Sequence, residues 1–186
     1  MYSMYLPKRN PTRAYLSGVE DVNLSHTNIF IEDITSHTRR KIIIDGSMLA
    51  DMVSDIRRLL GSVGDMLLYY QGFSVGKYIY QNLRGSHTHD YNVAINHLVN
   101  TFKQYGWGIV NVDSKSNPRA SSLMVRIYEN MECLLAPKRS KPNSQLARGV
   151  LAGFFSSLFN TKVYVEEKKC IAMGDPYCEF ILLFDT

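Results

Sequence analysis

Residues Val163 to Leu182 read V-Y-V-E-E-K-K-C-I-A-M-G-D-P-Y-C-E-F-I-L. Val163-Tyr164-Val165 opens a β-rich run, Gly174-Asp175-Pro176 breaks it, and Tyr177 to Phe184 resumes it with aromatic and aliphatic residues. Two such runs around a Gly-Asp-Pro break predict an antiparallel hairpin. Cys170 and Cys178 lie on opposite sides of the break, so pairing of the arms brings their thiols together. Glu167, three residues before Cys170, joins them if the chain bends there. Two soft sulfurs and one carboxylate are three candidate zinc ligands, one short of a closed tetrahedral site.

Outward from the hairpin, Ser144 to Phe159 predicts a helix with Leu146, Val150, Phe154 and Leu158 on one stripe. Gly149 and Gly153 within it form a G-x-x-x-G packing feature. Further upstream, Trp107–Asp113 and Leu123–Glu129 alternate as strands do, with a turn through Asn117-Pro118 between them. Cys133 follows the second strand and reads as a small buried apolar residue. The basic stretch Pro137–Pro142 reads as a solvated loop.

Three helices come before these strands. The first has Ser47 as its N-cap, carries Met48, Leu49, Met52, Val53, Ile56, Leu59 and Leu60 at helical spacing, and stops at Gly61. The second, Asp65–Leu83, has large residues around so much of its circumference that burial on more than one side is expected. Its Gly72 and Gly76 lie one turn apart, open to close approach by the core or by a partner subunit. The third, Tyr91–Tyr105, follows a loop whose His87 and His89 read as solvated side chains rather than metal ligands. The predicted fold is α+β: an antiparallel four-stranded sheet with helices packed on it. Residues 1–45 form an addition to that core, a basic arm followed by a β-hairpin from Thr27–Ile34 and Lys41–Asp45, and residues 46–186 form the domain itself.

The pattern Glu167, Cys170, Ala172, Gly174, Cys178, Phe180 resembles the end of the 4-vinyl reductase (vinyl-reductase-type) domain. Gly149 and Gly153, the Glu129-Asn130-Met131-Glu132 segment, and Gly72 and Gly76 extend the resemblance upstream. It implies the fold shared with small tethering subunits of the TRAPP complex, a core that pairs with itself as a homodimer, and an apolar pocket between helices and sheet. It also implies kinship with the effector-binding modules of phenol-responsive activators. Matched to that pattern, Met131 and Tyr164 fall near the ligand site, and patterning adds Phe154 and Trp107. Zinc-containing sensors of the family carry a third cysteine where this chain has Ser144, a poor zinc ligand because its hydroxyl is neutral. The fourth position then falls to water, a histidine, nothing, or Cys133 if its backbone comes close. Bound zinc, a pair of reduced thiols and a disulfide stay open, the last disfavoured in a reducing compartment.

Apolar content of 45% and charged content of 20% place the chain among ordinary globular domains. A net charge of +4 argues for neither nucleic acid nor a lipid surface as partner. The opening residues lack signal-peptide blocks and no apolar run approaches the roughly 20 residues of a membrane span, so a cytoplasmic protein is expected. No Walker loop, dinucleotide fingerprint or Ser-His-Asp pattern occurs. The favoured function is binding or sensing of an apolar or aromatic small molecule, with output through a separate partner protein. A ligand-free dimeric scaffold and a reductase or accessory protein of tetrapyrrole metabolism are the alternatives.

Overall fold

The computed structural model describes residues 44–83, 90–113 and 122–185. The predicted N-terminal arm and its hairpin up to residue 43, the loop with His87 and His89, and the Asn117-Pro118 turn lie outside the described residues. Helix α1, Gly46–Leu60, leads through Gly61 into α2, Ser62–Gln81, and α3 spans Tyr91–Gln104. Asp45, rather than the expected Ser47, caps α1: its carboxylate accepts from the Ser47 backbone N–H at 2.8 Å. An anionic acceptor suits the positive end of a helix better than a hydroxyl. Asp90 caps α3 in the same way, accepting from Asn92 N and Val93 N.

Strands β1, Ile109–Val112, and β2, Ser122–Tyr128, come next, then a four-residue helix α4, Met131–Leu134. Helix α5 spans Gln145–Phe159, β3 spans Val163–Lys169, a single 3-10 turn covers Ile171–Met173, and β4 spans Cys178–Phe184. Helix α4 carries Cys133, which follows the second strand as expected. Glu129 takes a left-handed φ of 52°, which turns the chain out of the ladder. The Asn130 carbonyl then accepts from Cys133 N and Leu134 N at 2.9 and 2.8 Å, closing a helical turn.

The sheet has strand order β1-β2-β4-β3, antiparallel throughout, so the α+β fold with its four-stranded antiparallel sheet is as predicted. Alternation aims Leu123, Val125 and Ile127 of β2, Phe180 and Leu182 of β4, and Val163 and Val165 of β3 into the core. Phe102, Phe154, Phe155 and Phe180 are fully buried there, each worth about 1.5–3 kcal/mol. Among the described residues, no helix is long and apolar enough to cross a membrane.

Helix α5 is buried around most of its circumference because α2 covers one side and the sheet the other. The α2–α5 contact is reciprocal. Gly72 and Gly76 of α2 lie against the Leu146 and Val150 carbonyls, while Gly149 and Gly153 of α5 lie against the Tyr69 and Phe73 carbonyls. Backbone meets backbone, and no Cβ fits at any of the four. The glycines expected to serve either the core or a subunit contact therefore serve the core. The opposite face of α2, with Val63, Met66, Tyr70 and Tyr78, stays exposed. Helix α1 is held far more lightly, with Val53 its one buried residue.

Candidate metal centre

The β3–β4 ladder runs in register to Glu167, opposite Phe180, then slips at a bulge between Glu167 and Lys169. The bulge re-aims the strand end. Beyond it the predicted break closes on itself: Cys170 N donates to Asp175 Oδ2 at 2.8 Å, while Met173 N and Asp175 N donate back to Cys170 O. Gly174, at φ 102°, makes this return possible. Cys170 is thereby folded over Cys178, whose sulfur accepts from Ile171 N at 3.4 Å.

Glu167, Cys170 and Cys178, the three residues nominated from sequence, come together with a fourth, Cys133 of α4. Their ligand atoms lie within 4.8 Å of one another and all four residues are buried. Cys133 Sγ is 3.5 Å from Cys170 Sγ, and all three thiols are free. Ser144, at the N-cap of α5, sits among them. Its backbone N–H and hydroxyl donate to the two oxygens of Glu167 at 3.0 and 2.6 Å, and Oγ lies 2.9 Å from Cys133 Sγ and 3.5 Å from Cys178 Sγ. Asn130 Nδ2 donates to the same hydroxyl at 3.0 Å. Zinc–sulfur bonds of about 2.3 Å and zinc–oxygen bonds of about 2.0–2.2 Å put tetrahedral ligands roughly 3.4–3.8 Å apart. A small contraction of this cluster reaches that spacing, so donor types and geometry fit zinc.

Without a cation, four acidic groups this close cannot all ionise. Burial pushes the Glu167 carboxyl up to about 8. Hydrogen bonds from the Cys133 and Cys170 thiols pull Cys178 down to about 4, and hydrogen bonds with Cys170 first and Cys178 second push the Cys133 thiol up. These shifts oppose one another in stability. The raised Glu167 contributes stability that is full below its unfolded value and is lost as pH rises through its folded one. The lowered Cys178 contributes stability that is full above its unfolded value and is lost as pH falls through its folded one. Thermal unfolding with a chelator present is therefore expected to be flat between about pH 5 and 8 for this cluster. In Cys178→Ser, where the Glu167 effect stands alone, Tm falls as pH rises over that window.

Beside the cluster, Glu132 of α4 turns the other way. Its buried carboxylate accepts from Leu146 N and Ala147 N at 3.1 and 3.0 Å, which caps α5, and from Arg57 Nη2 of α1 at 2.7 Å. Arg57 also donates to the Asn143 carbonyl and to Asp65. The Arg57 and Glu132 side chains are 8% and 2% exposed, so this pair is shielded from water.

The four residues nominated for a ligand pocket do not converge in the same way. Met131 lines a cleft of about 90 Å³ between α1 and α4, with Leu49, Val53 and Leu135. Phe154 is fully buried, edge-on to Tyr80 and Phe155. Trp107 packs on Phe102 and Tyr105, and Tyr164 stands on the outer sheet face, 48% exposed, beneath Lys162. Sequence reasoning held Cys133 only in reserve as a ligand, and missed Asn130, Glu132 and Arg57 as members of the site region. Their partners are far away in the chain, and no spacing rule reaches them.

Residues 123–184 match the model of the 4-vinyl reductase (V-4-R) domain. Over 127 residues, 68% of each chain, the sequence is 30% identical to an uncharacterized protein of Methanocaldococcus jannaschii. The chain belongs to the 4-vinyl reductase domain family. A second uncharacterized protein of that organism is 39% identical over 83 residues, which is 44% of this vinyl-reductase-type chain and 34% of that protein. The vinyl-reductase-type chain therefore matches about a third of that relative's length. Among solved structures, the phenol-responsive sensory domain of the transcription activator PoxR, determined with phenol, superposes with a TM-score of 0.69 at 16% identity. That superposition covers 95% of this chain and 91% of that one. Subunit 3 of a trafficking protein particle complex from Naegleria fowleri, covalently bound to palmitic acid, gives 0.57 at 17% identity over 76% and 95%. A vinyl-4-reductase family protein of M. jannaschii gives 0.52 at 16% identity over 98% and 99%. At such identities the likeness is one of fold.

Proposed function

We propose that this vinyl-reductase-type protein is a binding and sensing module for a small apolar or aromatic molecule, that it holds a structural zinc, and that it acts on a separate partner protein. The supporting observation is the fold it shares, over nearly its whole length, with a phenol-responsive sensory domain. The buried thiol and carboxylate cluster adds to it. In this reading Glu167, Cys170 and Cys178 hold the metal, and zinc supplies a cross-link between β3 and β4, with no redox chemistry of its own.

The two clefts described, of about 90 and 270 Å³, fall below the roughly 300–1,000 Å³ of typical ligand sites. Ligand entry therefore involves displacement of α1, which buries only Val53 and borders the cleft that Met131 lines. Mass spectrometry of the purified protein, under conditions that keep non-covalent complexes, is the test. An apolar molecule is expected to co-purify, and Met131→Ala to reduce its retention much more than it reduces Tm. A protein that carries nothing, and that binds no member of a panel of phenols and fatty acids, contradicts the proposal.

A second reading, a ligand-free dimeric scaffold, is favoured by one observation. The outward face of α2 presents Val63, Met66, Tyr70 and Tyr78, with the exposed charge of Lys77 among them, along a helix about 30 Å long. An apolar stripe of this kind is self-complementary, so both readings carry a homodimer through it. Sedimentation at micromolar concentration is expected to give a dimer, and Tyr70→Glu a folded monomer. A wild-type monomer sinks the dimer.

A further inference from the structure

We propose that Cys133 closes the metal site from α4, at the coordination position that Ser144 cannot fill, and that a metal held through Cys133 clamps the Glu132–Arg57 latch on which α1 is seated. This rests on the metal reading above. Three donors leave a tetrahedral site open. The resemblance placed the missing donor at the start of α5, where this chain has Ser144. The serine is already committed, since its amide and hydroxyl both bond to Glu167. Such a contact orients a carboxylate towards a metal from the outer sphere. Cys133 is a thiol, fully buried, 3.5 Å from Cys170 Sγ and within 4.8 Å of every other donor atom. Zinc prefers a thiolate to a hydroxyl, so Cys133 completes a three-sulfur, one-oxygen set drawn from α4, β3, its following turn and β4.

The position of Cys133 gives the metal a reach that a ligand at residue 144 lacks. Helix α4 has four residues, and consecutive side chains on it point about 100° apart. Cys133 faces the cluster while Glu132 faces α1 and the first turn of α5. A bond that fixes Cys133 fixes the short helix, and with it the carboxylate that Arg57 grips. That grip seats α1 on the α4 side, while Ile56 packs against Gly64 of α2 on the other. The one buried residue of α1 is Val53, an open cleft separates the helix from α4, and Arg57 ties it to Glu132 and the Asn143 carbonyl. Metal loading is then read out as tighter seating of α1, the element whose displacement the binding proposal requires.

The test titrates chelator-treated full-length protein with Co(II), which reports thiolate ligands by its charge-transfer absorption, and follows hydrogen exchange in residues 46–60. The wild type is expected to bind one Co(II) per chain, to protect three cysteines from alkylation, and to slow exchange in α1. Cys133→Ser is expected to lose about a third of the thiolate absorption, as three sulfurs become two. Ser144→Ala keeps that absorption while affinity falls roughly 10–100-fold, the usual cost of an outer-sphere partner. Arg57→Met keeps the absorption but loses the effect of metal on α1. Protection of only two cysteines in the wild type, a count that needs no variant, overturns Cys133 as a ligand, as does full absorption in Cys133→Ser. Exchange in wild-type α1 that ignores the metal overturns the clamp. A wild type that takes up no Co(II) removes the metal reading and this inference together, and leaves small-molecule binding to stand or fall on its own assay.

Discussion

Valine in place of Gly149 or Gly153 abolishes the fold. A Cβ at either position collides with the backbone carbonyl of Tyr69 or Phe73 on α2, and at Gly149 it also lies 2.8 Å from Phe73 N. Overpacking a side-chain contact costs about 1–3 kcal/mol because rotamers give way. Here the obstacles are main-chain atoms of a helix that is packed on its own account, so the helices must separate and uncover Phe154, Phe155 and Val150. A loss above about 4 kcal/mol is expected, against a total stability of roughly 5–15 kcal/mol. The variants should express as insoluble protein or lack a cooperative thermal transition. A soluble Gly153→Val with near wild-type Tm contradicts the packing described. The same holds for Gly76, where a Cβ also lies 2.7 Å from Phe154 N. Gly76→Leu is therefore expected to unfold the chain rather than merely to separate a dimer.

Arg57→Met has the second largest expected effect. It leaves the Glu132 carboxylate buried without its cation, though still bonded to two amides of α5. Breaking one half of a buried pair costs about 3–5 kcal/mol. For a chain of this size that lowers Tm by roughly 10 °C. The deficit depends on pH in a defined direction. Burial already raises Glu132 above an ordinary carboxylate, and loss of Arg57 raises it further. A raised carboxyl contributes stability present at low pH and lost as pH rises through its folded value, so the deficit of Arg57→Met shrinks in acid. Arg57→Met combined with Glu132→Gln should recover part of the loss at neutral pH. Equal deficits at acid and neutral pH would count against a charged Glu132.

Most of the framework was legible because it depends on local rules. The Gly-Asp-Pro break, the alternation of β2 and the periodic apolar residues of α5 each act within a few neighbours. They led to the correct hairpin, sheet and helix order. Caps were harder, since Asp45 and Ser47 are both competent and the choice between them depends on which side chain the backbone turns inward. The buried thiol and carboxylate cluster was legible at Glu167, Cys170 and Cys178 because one hairpin carries all three. Cys133 was not, because its approach depends on Glu129 adopting a left-handed conformation that lets α4 fold back over the turn after Cys170. The Arg57–Glu132 pair joins residues 75 positions apart. Nothing in the local pattern of either residue marks it as buried.

Elemental analysis of the protein purified without reductant or chelator, combined with a thiol count before and after acid release of metal, tests the account most directly. One zinc per chain is expected, with Cys133, Cys170 and Cys178 unreactive in the native protein and all three titrating once the zinc is released. A metal-free chain whose three thiols react without any treatment, or a disulfide between two of them, contradicts it.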